Sequence, residues 1–284
     1  MLKQRIITAA VLLAIYLPAL FYPSPEPFCA LTLLLIGASA WEWGRLNGCD
    51  QRVSLALAAL CVALCLVAWN AGMLARPLYA LWTIGGAAWV LVGALLVRRG
   101  VAGWPRVPKA LRLAGGIAAL WLAWLALAQS RVIGINFLLS VLLLVWVADV
   151  FAYFAGRAFG LKFTKVRLAA ALSPGKSWEG VWGGMAGVVL MALLWVWADS
   201  AAQASVPSLY TVLAERGVLL LVLAVLFLAA MSVVGDLVES LIKRSAGAKD
   251  SSRLLPGHGG VLDRIDALLP TLPLALMLSA MVAR

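Results

Sequence analysis

The sequence predicts an all-α polytopic membrane protein of about nine transmembrane helices, and three observations carry that reading. Of its 284 residues, 64% are hydrophobic and 12% charged, with a mean hydropathy of +1.00. Soluble domains run near 45–50% apolar and about 25% charged, so a water-soluble globule is excluded. The apolar residues gather into runs that approach the roughly 20 residues needed to cross a bilayer. The basic residues crowd into alternate connections between those runs, as the sided distribution of Lys and Arg across membranes requires.

The first run, 6–21, follows Lys3 and Arg5 and ends at Phe21-Tyr22-Pro23-Ser24-Pro25. No small-residue cleavage site follows it, so it reads as an uncleaved first helix rather than a signal peptide. Further runs lie at 28–41, 53–71, 78–97, 113–129, 132–151, 181–198, 217–234 and 268–283. Several fall short of a full span, so their helices must extend into flanking residues or the bilayer must thin around them. With the N-terminus cytoplasmic and nine crossings, only Arg76, Arg131, Arg216 and Arg284 of the 23 Lys and Arg fall outside. The C-terminus is then periplasmic.

The net charge of +11 and pI of about 10.0, which in a soluble protein would suggest nucleic acid, therefore serve mainly as an orientation signal, and no nucleic-acid partner is expected. Cys29, Cys49, Cys61 and Cys65 form no CxxC pair and have no histidine cluster beside them. They read as packing residues on helices whose loops face a reducing compartment.

Two inside connections, 152–180 and 235–267, are long, glycine-containing and charged with both signs, where ordinary connectors are short. In the second, Asp236, Glu239, Ser240 and Lys243 stand at i, i+3, i+4 and i+7, one polar face if the preceding helix continues. Asp263 and Asp266 repeat the i, i+3 spacing at the start of the last helix. Carboxylates gathered beside lysines and arginines are what metal-assisted phosphoryl chemistry needs: Mg²⁺ takes one or two of them and leaves its other positions to water and phosphates. The neighbouring cations then neutralise a polyphosphate. The Pro256-Gly257-His258-Gly259-Gly260 turn brings backbone amides within reach of a phosphate. From composition alone, the same loop reads equally well as a solvated connector.

The pattern is more specific than composition. Ser240, Lys243, Arg244, Lys249, Asp250, Pro256, His258, Gly259, Gly260, Asp263, Arg264 and Asp266 stand in one register. On these residues the sequence resembles the phosphatidate cytidylyltransferase (CDP-diacylglycerol synthase) family, whose long signature they match without a gap. Two upstream segments support the resemblance. Asp149 to Gly160 looks like the family's Asp, Ala-Tyr and spaced-glycine segment. Ser173-Pro174-Gly175-Lys176-Ser177-Trp178-Glu179-Gly180 looks like a second motif, with Gly175 where the family usually has its first lysine and Ser177 where it has threonine. Lys176 keeps the second cation.

The resemblance implies transfer of a cytidylyl group from CTP to phosphatidate at the cytoplasmic face of a cell inner membrane, with Mg²⁺ as cofactor and room for a second cation. Asp236 and Asp263 are the leading expected ligands and Asp266 the next. Lys249 and Arg264 are expected to hold phosphates. Ser240, Lys243, Arg244, Lys176, Ser173, Gly259, Gly260 and Tyr153 are expected to line the substrate site. Asp149 is open to metal, nucleotide or a neighbouring helix. His258, the sole histidine, is expected to bind or shape the loop, since an already anionic lipid phosphate needs no base. Gly156 and Gly160 read as close helix packing, and Trp178 as an interfacial anchor.

Residues 1–148 are expected to support and 149–284 to catalyse, as parts of one membrane domain, with a homodimer allowed. A transporter would call for interrupted helices in repeated halves, and an intramembrane prenyltransferase for a second aspartate-rich motif beside Asp263 and Asp266. Neither is visible.

Overall fold

In the computed structural model, residues 2–282 are described, apart from the side chains of Leu2, Lys3 and Arg5. Arg284, one of the four expected outside cations, lies outside the described residues. Eight of the nine apolar runs each correspond to one helix, while 132–151 begins in the last residues of one helix (Lys109–Ile133) and continues, past Gly134, as the next (Ile135–Phe159). In chain order the helices are α1 (Leu2–Phe21), α2 (Glu26–Leu46), α3 (Gln51–Asn70), α4 (Tyr79–Arg99), α5 (Lys109–Ile133), α6 (Ile135–Phe159) and α7 (Trp178–Ala201). A short α8 (Leu209–Ala214), α9 (Val218–Ser245), a single turn α10 (Leu262–Ile265) and α11 (Leu268–Val282) follow. Between α6 and α7 a small antiparallel hairpin pairs β1 (Arg167–Ala169) with β2 (Ser173–Ser177).

Among the described residues, seven helices are long and apolar enough to cross a membrane: α3, α4, α5, α6, α7, α9 and the α10–α11 stretch Leu262–Val282. The apolar part of α1, Ile6–Phe21, is shorter, and α2 has 21 residues but carries Glu26, Glu42 and Arg45. Two long connections expected from the sequence turn out to be partly helical. α6 runs on to Phe159, and α9 runs on to Ser245. α9 can continue because Leu237, Val238, Leu241 and Ile242 stay buried against its neighbours while the polar face points elsewhere. Helix starts are capped locally: Asp50 accepts from the Val53 amide at 2.8 Å to open α3, and Ser177 from the Gly180 amide at 3.1 Å to open α7.

Side-chain hydrogen bonds sort the helix ends into two poles. At one, Lys109 Nζ donates to Gly48 O at 2.8 Å, Ser245 Oγ to Val101 O at 3.2 Å and Thr8 Oγ1 to Pro256 O at 3.0 Å. At the other, Gln129 Nε2 donates to Arg76 O at 2.7 Å, Asn136 Nδ2 to Asp199 Oδ1 at 2.9 Å and Arg216 Nη2 to Val282 O at 2.8 Å. The chain thus forms an up-and-down bundle, and the hairpin, the α9 polar face and α10 share the first pole. Cys29, Cys61 and Cys65 are buried, and all four cysteines are free, in keeping with a packing role.

Arg131, buried at the second pole, fastens α5 to the end of α1: its Nε donates to Leu20 O at 3.0 Å and its Nη2 to Tyr22 O at 2.5 Å. Removing a charged donor leaves the buried Leu20 carbonyl, and with it that of Tyr22, without this partner. Arg131→Ala is expected to lower stability by about 2–3 kcal/mol. The readout is the thermal unfolding midpoint of the purified protein in detergent, and an unchanged midpoint would show that this fastening contributes nothing.

Candidate active site

The site begins where α9 meets α10. A Cβ on Gly235 would lie 2.5 Å from Asp266 O and 2.9 Å from the Pro270 ring, so the absence of a side chain lets the α9 backbone touch the start of the last helix. That approach sets Glu239 and Lys243 of α9 against Asp263. Lys243 Nζ pairs with Glu239 and donates to Asp263 Oδ1 at 2.6 Å. With side-chain exposures of 13% for the lysine and 4% and 6% for the acids, the three charges are largely withdrawn from water, where an unmatched charge is costly.

Asp263 takes more donors than the lysine. Ser251 donates to it from both N and Oγ, each 2.9 Å from Oδ2, and the Gly260 amide donates to Oδ2 at 2.7 Å. The turn before it is shaped to allow this. Gly259 holds φ +83°, and a Cβ there would meet Asp263 Oδ2 at 2.7 Å; a Cβ on Gly260 would collide with Ser251 Oγ and Glu42 Oε1. These two glycines therefore make room for carboxylates. They were expected to face a phosphate, and the Gly260 amide is instead spent on Asp263.

Glu42, from α2, is the residue that the sequence reading passed over. It is fully buried and accepts from Ser251 Oγ, Ser252 Oγ and the Val261 and Leu262 amides. A lone acid near the end of an apolar run gives no local signal of such partners.

Beside this cluster, a cavity of 460 Å³ opens between α6, α7, α9 and β2. Asp149, Tyr153, Arg157, Lys176 and Asp236 line it together with small residues such as Gly156 and Gly180. Lys176 pairs with Asp236, Ser240 Oγ donates to Asp236 Oδ1 at 3.2 Å, and Arg157 Nη1 donates to Tyr153 Oη at 3.0 Å. Asp149 and Asp266 both lie within electrostatic reach of Asp236 and Lys176. Gly156 faces Gly180 across the α6–α7 contact, so the small residue there both packs and leaves space. Glu179, buried in the first turn of α7, accepts from the Phe163 and Thr164 amides at 3.1 and 2.7 Å and pins the segment below the cavity.

The remaining expected residues are more dispersed. Ser173 begins β2 opposite Ala169. Arg244 is exposed and donates to Leu172 O and Ala248 O. Arg264 is exposed and its Nη2 donates to His258 O at 2.6 Å, so His258 is tied into the turn through its backbone. Lys249 is exposed, with no hydrogen bond or ion pair among the described residues. Trp178 stands 41% exposed at the start of α7.

For a divalent cation, the donors present are hard oxygens, which suit Mg²⁺. Among the described residues no three acidic, cysteine or histidine side chains converge on one point, but Mg²⁺ needs only one or two carboxylates when phosphates complete its shell. Asp236 and Asp149, facing one cavity, meet that condition. Both oxygens of Asp263 are engaged by Lys243, Ser251 and Gly260, and both of Asp236 by Lys176 and Ser240, so either acid would exchange a present partner for the ion.

Comparison with known proteins agrees with the motifs. The model of the cytidylyltransferase family matches residues 3–282. Proteins named phosphatidate cytidylyltransferase are similar along nearly the whole chain. The one from Pseudomonas aeruginosa is 39% identical, covering 96% of this chain and 95% of its own. That from Haemophilus influenzae is 34% identical, covering 96% of each, and that from Brucella abortus is 36% identical, covering 99% and 94%.

The Lys243 arrangement makes a direct prediction. Lys243→Met leaves Glu239 and Asp263 buried without their cation and is expected to cost about 3 kcal/mol. Thermal unfolding should show the loss, and Lys243→Met/Asp263→Asn should recover part of it. A double variant no more stable than the single one would contradict the charge argument.

Proposed function

The chain belongs to the cytidylyltransferase family, and from that premise we propose that it transfers the cytidylyl group of CTP to phosphatidate, giving CDP-diacylglycerol and pyrophosphate. The observation that carries the reading is the cavity at the first pole, where Asp149, Lys176 and Asp236 meet at the ends of three membrane helices beside an apolar wall. One substrate is a charged nucleotide from water and the other a phosphate fixed to a bilayer. Both can reach a polar cavity only at that boundary.

Nine crossings put this pole at the cytoplasmic face of the inner membrane, with the C-terminus on the other side. Two contacts support counting α1 as a span: Thr8 reaches Pro256 at the first pole and Leu20 O receives Arg131 at the second. α2 then returns to the first pole, where Glu42 lies. The first 148 residues and the remainder act as one membrane domain, and the lipid-exposed faces of α3 and α4, such as Val67, Ile84 and Leu91, leave a surface for a homodimer.

In the reaction, a phosphate oxygen of phosphatidate attacks the α-phosphorus of CTP and pyrophosphate departs. Lys176 neutralises the nucleotide phosphates at the cavity floor. Arg157, oriented by Tyr153, receives the lipid phosphate at the mouth. Lys249 on the exposed loop, with Arg244 at the end of α9 and Arg264 on α10, screens the departing pyrophosphate. Asp236 with Asp149 would hold Mg²⁺, with Asp266 behind them, and the ion when bound supplies neutralisation of the phosphates and of the leaving group. The acceptor is already anionic, so His258 need not remove a proton. Positioning and charge supply most of the rate.

Purified protein incubated with labelled CTP and phosphatidate is expected to form CDP-diacylglycerol, to stop when EDTA is added, and to resume with Mg²⁺. No product under these conditions would overturn the assignment.

The roles of the two leading aspartates separate in the same assay. Asp236→Asn is expected to lower kcat/KM by at least about a hundredfold and to raise the Mg²⁺ concentration needed for half-maximal rate. Asp263→Asn is expected to lower turnover while leaving that Mg²⁺ concentration unchanged. If it rises for Asp263→Asn instead, Asp263 is itself a ligand and gives up Lys243 when the ion binds.

A further inference from the structure

We propose that Glu42 is a positioning residue of the transferase site, holding the loop that ends at Asp263 from a helix more than two hundred residues earlier in the chain. The proposal rests on the transferase reading for its effect on turnover. Its physical basis is independent of that reading.

Glu42 is 0% exposed, so it touches no substrate and acts only through what it binds. Its Oε1 accepts from Ser252 Oγ at 2.5 Å and the Val261 amide at 3.0 Å; its Oε2 accepts from Ser251 Oγ at 3.2 Å and the Leu262 amide at 2.7 Å. Four donors fill the acceptor capacity of a carboxylate. None of the three ion pairs among the described residues includes it. Hydroxyls and backbone amides of one loop thus take the place of a cation, and that solvation exists only while the loop keeps this shape.

The same loop serves Asp263. The amides of Gly260, Val261 and Leu262 divide between the two carboxylates, the first to Asp263 and the next two to Glu42. Ser251 Oγ lies within reach of both acids. Loosening Glu42 therefore frees both ends of the segment that places Asp263 against Lys243 and projects Arg264 and Lys249 outward. A glutamine at this position keeps the shape but turns one acceptor into a donor facing an amide or hydroxyl.

The test uses the full-length protein in detergent with lipid. Turnover is measured with CTP and phosphatidate, and loop order by the rate of trypsin cleavage after Arg253, which is exposed within the held segment. Glu42→Gln is expected to lower kcat at least about tenfold and to speed cleavage after Arg253 by a similar factor, with elution volume and helix content unchanged. Ser252→Ala, which removes one of the four donors, should give a smaller change in both. The double variant should be no worse than Glu42→Gln alone.

Wild-type turnover in Glu42→Gln, lost turnover with Arg253 still protected, or additive losses in the double variant would each overturn the proposal. Should Glu42→Gln fail to fold, Ser252→Ala decides: faster cleavage with lower kcat supports the role, and no change in either refutes it. A wild-type protein without transferase activity, whose loop is nevertheless released by Glu42→Gln, would count against the assigned reaction and leave the loop-holding role standing.

Discussion

Lys243 answers two buried carboxylates at once, and the arrangement of the site follows from that sharing. Glu239 lies one helical turn before it on α9, while Asp263 belongs to the start of the next helix. A single ammonium held between them joins two elements that meet at the membrane boundary, where an unpaired charge is expensive. The contact is possible only because Gly235 lets the two backbones come together. Helix continuation, close approach and ion pairing depend on one another, and the loop between the two helices is closed by their meeting.

Closure of that loop draws in the first half of the chain. Glu42 receives the loop hydroxyls and amides that Asp263 does not use, so the early helices do more than fill the bundle. They carry the acid against which the last polar segment is ordered. The two glycines of the turn belong to the same arrangement, one adopting a backbone conformation that other residues resist, the other leaving the space that Glu42 and Ser251 occupy.

Much of this was legible from one dimension. Eight of the nine apolar runs each correspond to one helix, only the α5–α6 break at Gly134 being misplaced, and the i, i+3, i+4, i+7 spacing of Asp236, Glu239, Ser240 and Lys243 marks the polar end of α9. The fixed register from Ser240 to Asp266 pointed to the site segment. What was not legible is non-local. Hydropathy ends a membrane run where charged residues enter, so it could not show α6 reaching Phe159 or α9 reaching Ser245; on α9 the buried stripe of Leu237, Val238, Leu241 and Ile242 sustains the helix. Glu42 lies 209 positions from Ser251, and no periodicity links the two. The partners of Asp263 were hidden for the same reason: a carboxylate beside basic residues looks alike whether it awaits a metal or already holds backbone amides.

The two halves of the site are accordingly built by different means. The cavity is framed by three membrane helices whose small residues fix its width, with Asp149, Asp236 and Lys176 carried on or beside rigid backbone. The cationic loop buries little apolar surface beyond Val261 and is ordered by two carboxylates that consume its amides. Reaction between a soluble nucleotide and a membrane-bound lipid asks for both properties: a fixed place for the reacting phosphates, and a polar segment at the water side able to admit and release charged species. A loop fastened by hydrogen bonds to two buried carboxylates meets the second demand while its shape is fixed, because leaving either acid unsatisfied is costly. Holding it on an acid sealed inside α2 keeps it from disorder, since the carboxylate has no other partners to turn to.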